Sequence, residues 1–447
     1  MPTLTYEDLL TAVTGTAAGF RCTTRLEPLG GADDKLYPPT FGDAVRVPVP
    51  VGEDREERRK SKYALEWRRI NGAAKLCVVL DSVASQANRM ELALLDGYER
   101  GELKFPFARV DFTGATHDDP ALDLSTIGRD GYITSLEAPH RLADALLRDS
   151  VIDGKPFRYT DAGRRFTEAS QSNATPLFTL CPSSLVFGLW DSTGPKGGLG
   201  SKFQRALVSE IVGVGVELGT RTSSRIDPTG IQKTEIYEAK EPGEGGSQDW
   251  TTDPGEAKLD KKQPMLLKRG NSEKAGSPSV INHGNVKPSQ DAETGGVTVE
   301  YAEQLTVVSL PALRRLRFAT TSDRKRLEGE NRRKAEGAAR TLLAALALTA
   351  IAYQRENGYD LRSRCALRAL GPLTLELIPG DGGERQSFSL TRGEAKALLE
   401  KAKAAAADLG MSWPEKPLTL TPAPKLVGLI RKSRQLTVVE EQPGDNS

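Results

Sequence analysis

Histidine and cysteine are scarce in this chain, with three histidines and four cysteines in 447 residues. Cys22, Cys77, Cys181 and Cys365 lie far apart, and no pair has metal-ligand spacing. They read as reduced, buried thiols of a cytoplasmic protein. So few histidines speak against His-based metal or triad chemistry, and no cofactor is expected. An excess of one charge is also missing: 61 Lys and Arg face 60 Asp and Glu, a net +1. That excludes a surface basic all over, but not local basic patches. No apolar run approaches the roughly 18 residues of a membrane span. The longest, LLAALALTAIA at 342–352, fits a buried helix. The N-terminus shows neither a basic n-region nor a cleavage site, which reads as no export signal. Also missing are G-x-S-x-G, H-E-x-x-H and the kinase set. GPKGGLGSK at 194–202 is neither a Walker A nor a G-x-G-x-x-G motif, which argues against NTP hydrolysis.

What is present is a soluble, globular composition, 38% hydrophobic and 27% charged, long enough for two or three units or one domain with large insertions. Thr5 with Asp8 three residues on predicts a helix over 5–13. An extended segment follows near 20–29, then a proline-rich loop over 32–60. The spacing predicts a buried strand at 75–81, helices at about 86–99 and 138–149, and a strand at 184–190. Residues 203–219 have a mixed period and read as a strand, or as a short helix then a strand. The stretch 240–296 is rich in glycine and proline and reads as a long loop or insertion. It separates 1–239 from 297–447. Beyond it come a strand at 297–310, a long helix at 328–355 and a strand pair at 373–379 and 385–390 around GDGG. Thr391 and Glu394 box a helix at 392–408, stopped by Gly410. The fold class is α+β. Charge is segregated along the chain: 314–340 holds ten Lys/Arg against four Asp/Glu, a local +6.

Several stretches mix polar residues into apolar periodicity. SQANRME at 85–91 opens a helix whose free N–H groups favour phosphate, with Gln86, Asn88 and Arg89 as added donors; capping and an ion pair of Arg89 are the alternative. Arg141 and Arg148 fall on similar helix faces with Asp144 between them. We read Arg141 as a phosphate contact and Arg148 as an intrahelical ion pair. His140 reads as a cap-region residue. The glycine-rich 194–202 can wrap a nucleic-acid backbone, with Lys196, Lys202 and Arg205 adding charge, or form a plain hairpin turn. Arg221 and Arg225 lie among hydroxyls suited to phosphate or ribose, or to a solvated loop. Trp190 and Phe187 offer rings to stack on bases, against a core role. Asp33, Asp34 and Asp191 are the suspect acids for a metal-dependent ribonuclease, the alternative function.

LDSVASQANRMELALL at 80–95, SLEAPHRLADALLRDS at 135–150 and LVFGLWDSTGPKGGLGSKFQRALVSEIVG at 185–213 together carry a resemblance. It runs from LEPLGGADDKLYPPTF at 26–41 through GTRTSSRIDPTGI at 219–231. The chain resembles the Csb-type (GSU-family) backbone RAMP subunit of the type I-G, formerly I-U, CRISPR Cascade complex. The resemblance implies a modified RRM-like (ferredoxin-like) palm with large inserted finger and thumb elements, 240–296 being thumb-like. It implies a cytoplasmic, non-enzymatic protein that polymerises head-to-tail as a filament along the guide RNA spacer. There it presents the guide to target DNA in antiviral defence. Other expected partners are the large subunit, the guide-processing subunit and a recruited helicase-nuclease, with no membrane. Arg25, beside the first matching motif, joins the expected RNA contacts.

Overall fold

In this computed structural model, which describes residues 1–48, 59–194, 200–231, 233–240, 250–268 and 275–440, strand β1 (Gly19–Pro28) sets the layout. Its side chains alternate, with Phe20, Cys22, Thr24 and Leu26 buried and Thr23 and Arg25 exposed on the other face. It belongs to a nine-stranded sheet. The other members are β2 (Leu65–Ile70), β3 (Ala73–Asp81), β4 (Leu207–Val214), β5 (Tyr301–Ser309), β6 (Tyr359–Arg362), β7 (Cys365–Ala369), β8 (Thr374–Ile378) and β9 (Gln386–Ser389). The spatial order is β6-β7-β1-β5-β4-β3-β2, with every pairing antiparallel. β8 takes the other end of β1, through Gly19–Arg21, and pairs β9.

Four helices supply the core on one side: α1 (Tyr6–Thr14), α2 (Val83–Glu99), α3 (Gly329–Asn357) and α4 (Arg392–Asp408). α3 packs against the other three. It is long and apolar enough to cross a membrane, but 94% of its most apolar window is buried inside the protein, so it is the core helix. The capping boxes at Thr5/Asp8 and Thr391/Glu394 form as the sequence predicts. All four cysteines are free and buried.

Two long excursions leave the sheet. Between α2 and β4 the chain builds a second, five-stranded sheet, which the late strand Leu418–Pro422 completes by pairing Ala108–Asp111 and Ser150–Ile152. Between β4 and β5 an exposed ribbon, Arg221–Arg225 on Val286–Asp291, carries short strands and a small apolar cluster of Ile236, Leu267 and Val280. The described part of 240–296 is therefore built structure rather than plain loop. Likewise 32–60 contains the strand pair Thr40–Arg46 and Lys60–Tyr63.

Two further elements differ from the sequence expectation. The helix expected at 138–149 is broken into Arg141–Ala143 and Ala145–Arg148, because the Asp144 side chain accepts from Leu146 N at 2.9 Å and starts a new helix. The strand expected at 184–190 is a helical turn, Ser183–Val186, and only Leu189–Trp190 is extended. An unbroken apolar run does not separate the two by period.

Candidate nucleic-acid interface

Gly188, at φ 86°, turns the chain out of the Ser183–Val186 helix. Leu189–Trp190 then pairs antiparallel with Lys202–Phe203, Trp190 opposite Lys202. Period two buries Leu189 and Phe203 and turns the other pair outward, with Trp190 56% exposed. The Lys202 Nζ lies 5.4 Å from the Trp190 ring centroid, within cation–π reach. No carboxylate pairs with Lys202 among the described residues. The exposed Arg205 has no hydrogen bond or ion pair there either. Burial of its stem and the nearby Arg141 pull its pKa down, while Glu91 opposes them.

Between these two, Gln204 accepts from Arg315 Nη1 at 2.8 Å, which joins the hairpin to the basic run after β5. In that run Glu336 alone accepts from Arg317, Arg332 and Arg340, together with the Phe318 N–H. Burial raises its pKa, but these donors outweigh burial and leave it lowered. One carboxylate thus serves three guanidinium groups. On the other flank Ser201 Oγ donates to Ala169 O at 2.6 Å and so docks the hairpin on the helix Asp161–Glu168. That helix carries Arg164, on Tyr159 O, and Arg165, on Thr179 Oγ1, neither with a carboxylate within ion-pair reach among the described residues. Burial and Arg324 lower the Arg165 pKa. Lys202 thus stands beside an exposed indole, and further under-neutralised cations lie on the segments that contact the hairpin, an arrangement suited to a polyanion with planar rings.

The expected contact residues divide. Trp190, Lys202 and Arg205 lie on this hairpin segment; Lys196 lies outside the described residues. Asn88 is exposed on α2. Arg221 pairs with Asp291 across the ribbon at 3.3 Å, and Arg225 donates to His283 O and Gly284 O. Arg25 sits on the sheet face away from α2 and α3, stacked on Tyr301 and 3.4 Å from Glu303. Three expectations are corrected. Gln86 is fully buried: its amide donates to Asp81 and its carbonyl accepts from Ser209 and Gln304. Arg89 gives its donors to Asp81, Asp360 O and Leu361 O, tying α2 to β6. Arg141 is buried on Glu91 and Gly188 O. Arg148 does pair with an acid, but with its neighbour Asp149 rather than Asp144.

Phe187 is fully buried and cannot stack on a base. Asp191 is buried on Arg158, which removes it from the suspect acids. Asp33 and Asp34 are exposed, and Asp34 accepts from the Lys35 N–H. Among the described residues no group of three or more His, Cys, Asp or Glu could hold a metal ion. Sequence reasoning missed Arg164, Arg165 and Arg315. For Arg315 the basic run at 314–340 was the available signal, but nothing in it pointed to the hairpin; Arg164 and Arg165 lie outside that run.

An α+β chain with an anion-accepting surface beside a tryptophan is the class these observations define. Residues 20–218, from β1 through the hairpin and β4, match the model of the CRISPR-associated protein GSU0053 family. Over that stretch the chain is similar to this CRISPR-associated family. The crystal structure of Thermofilum pendens Csc2 aligns at 13% identity over 94% of this chain and 77% of that one, with a TM-score of 0.22. So loose a superposition decides nothing about the fold. No curated protein matches the chain.

Proposed function

We propose that this chain is a guide-RNA-binding backbone subunit of a type I-G Cascade effector. Copies line up head-to-tail along the spacer, hold it by its backbone, and leave base edges to pair with target DNA. The observation that carries the reading is Lys202 beside exposed Trp190, with Arg205 and Arg315 unpaired with any carboxylate on and against the same hairpin segment among the described residues. Similarity to a CRISPR-associated family over 20–218 supports a guide RNA as the ligand of that patch. We read the sheet as an RRM-like palm. The run β1-α2-β4-β5-α3-β8, in which β5 lies between β1 and β4 and β8 flanks β1, supports it. The ribbon from Arg221 to Asp291 is then the thumb, and the 100–206 excursion a finger-like insertion. The subunit is non-enzymatic and cytoplasmic, and its further partners are the large and guide-processing subunits and a recruited helicase-nuclease. Heterologous contacts of this kind extend until something caps them. Mixing the protein with RNAs of increasing length and Mg²⁺ tests this. Mass should rise in steps while the RNA stays intact; a single fixed mass, or periodic RNA fragments, would contradict it.

A further inference from the structure

Two buried arginine–carboxylate forks hold the hairpin at its two ends. At the inner end Arg141 sits in left-handed backbone, φ 51°. It sends Nε and Nη2 to the Glu91 carboxylate, each at 2.7 Å, and Nη1 to Gly188 O at 3.0 Å. A non-glycine residue held in that region stores strain, which the fork must overcome. At the outer end Arg158 places Nη1 and Nη2 on Asp191 at 2.6 and 2.8 Å, with the Phe166 ring 4.6 Å beneath the guanidinium. The two carboxylate side chains are 1% and 0% exposed.

Buried pairs of this kind rarely add stability over apolar residues of the same volume. The Arg158 Nε even lacks a partner among the described residues. What the forks do supply is position. Gly188 directly precedes the first hairpin strand, and Asp191 directly follows it. The Asp191 N–H donates to Ser201 O at 2.9 Å and closes the hairpin. The glycines around it are needed for the same closeness: a Cβ on Gly194 would lie 2.4 Å from Asp191 Oδ2, and one on Gly200 2.0 Å from Asp191 O.

We infer that Arg141–Glu91 and Arg158–Asp191 are positioning pairs, which fix the hairpin so that Trp190 and Lys202 face an RNA strand together. The inference rests on the RNA-binding reading above. It gives Arg141 and Asp191 a role in binding without contact with the ligand.

The test is the double variant Arg158→Met/Asp191→Leu, which leaves no unpaired charge behind, with Asp191→Asn as a size-preserving second variant. Three quantities are read: melting temperature, hydrogen exchange at the amides of Leu189, Trp190, Lys202 and Phe203, and a salt titration of RNA binding. The double variant should melt near the wild type. Its hairpin amides should exchange faster while those of β1 and β5 do not change. RNA affinity should fall about tenfold, the scale of one lost stacking contact. The salt slope should drop by about 0.7, one phosphate contact on a single strand. If the double variant does not fold, Asp191→Asn must show the same local exchange and a weaker loss of affinity. Wild-type affinity together with wild-type hairpin protection in a folded variant would overturn the inference alone. A wild-type chain that retains no RNA would overturn the RNA reading and this inference with it.

Discussion

The uncovered face of the large sheet and the surface around the hairpin carry the same residue types in opposite electrostatic states. On the sheet, Arg21 meets Glu376 at 2.6 Å, Arg68 meets Glu210 at 2.6 Å, Lys75 meets Glu300 at 2.6 Å, and Arg368 pairs with Glu27. Arg25 is held by Tyr301 and Glu303. Between them Val208, Leu305 and Val307 lie exposed, so this face is neutral and partly apolar. Around the hairpin, Lys202, Arg205 and Arg315 have no carboxylate within ion-pair distance among the described residues. A cation already beside a carboxylate gains little from a phosphate, whereas one facing only water gains counterion release. The net charge of +1 averages these two surfaces and hides both.

The largest effect separating the two surfaces should come from reversing the unpaired cations. Lys202→Glu/Arg205→Glu should weaken RNA retention by at least about tenfold at low salt, since two backbone contacts become repulsive. Because both residues are exposed, the melting temperature should stay close to wild type. Filter binding and a thermal melt check the two halves.

A second effect sharpens the comparison through pH. Burial pushes the Glu91 carboxyl up to about 7, against the pull of Arg141, Ser183 and Arg205. Its folded value lies above the unfolded one, so the folded state holds the extra proton between about 4.5 and about 7. The stability this group contributes is full below that window and is lost as pH rises through it. The melting temperature of wild type relative to Glu91→Gln should therefore decline from pH 5 to pH 8. A flat or rising difference would place the Glu91 pKa below the window.

The smallest effect should come from the sheet face. Arg21→Ala/Arg25→Ala should leave RNA affinity within about twofold and cost about 0.5 kcal/mol per half-exposed pair. A denaturant melt beside the binding titration checks it.

The sequence showed best what is local. Thr5 with Asp8 and Thr391 with Glu394 fix helix starts across three residues, and both boxes form. The strand at 75–81 and the helix at 328–355 were legible from β-branching and from period, and they appear as Ala73–Asp81 and Gly329–Asn357. The order of strands was not legible, because β1 pairs with β5 almost three hundred residues away through registers that no local pattern encodes. The same limit governed the site. The expected partner of Arg141 was RNA, yet Glu91, fifty residues earlier, takes both of its fork nitrogens. Asp191 looked like a free acid until Arg158, thirty-three residues earlier, occupied both of its oxygens. Gln86 looked like a surface donor on a polar helix start, but it closes a buried network with Asp81, Ser209 and Gln304. Trp190 and Lys202 were legible as residues, and it took the hairpin to bring them together.

The central claim is that binding uses the unpaired cations of the hairpin and not the paired cations of the sheet. The most direct test is the salt dependence of RNA affinity in Lys202→Ala/Arg205→Ala and Arg21→Ala/Arg25→Ala, measured side by side against wild type. Neutralising the hairpin pair should flatten the slope of log affinity against log salt by about 1.4, two contacts at about 0.7 each on a single strand. Neutralising the sheet pair should leave it unchanged. Equal flattening by both pairs, or flattening by the sheet pair alone, would contradict the account.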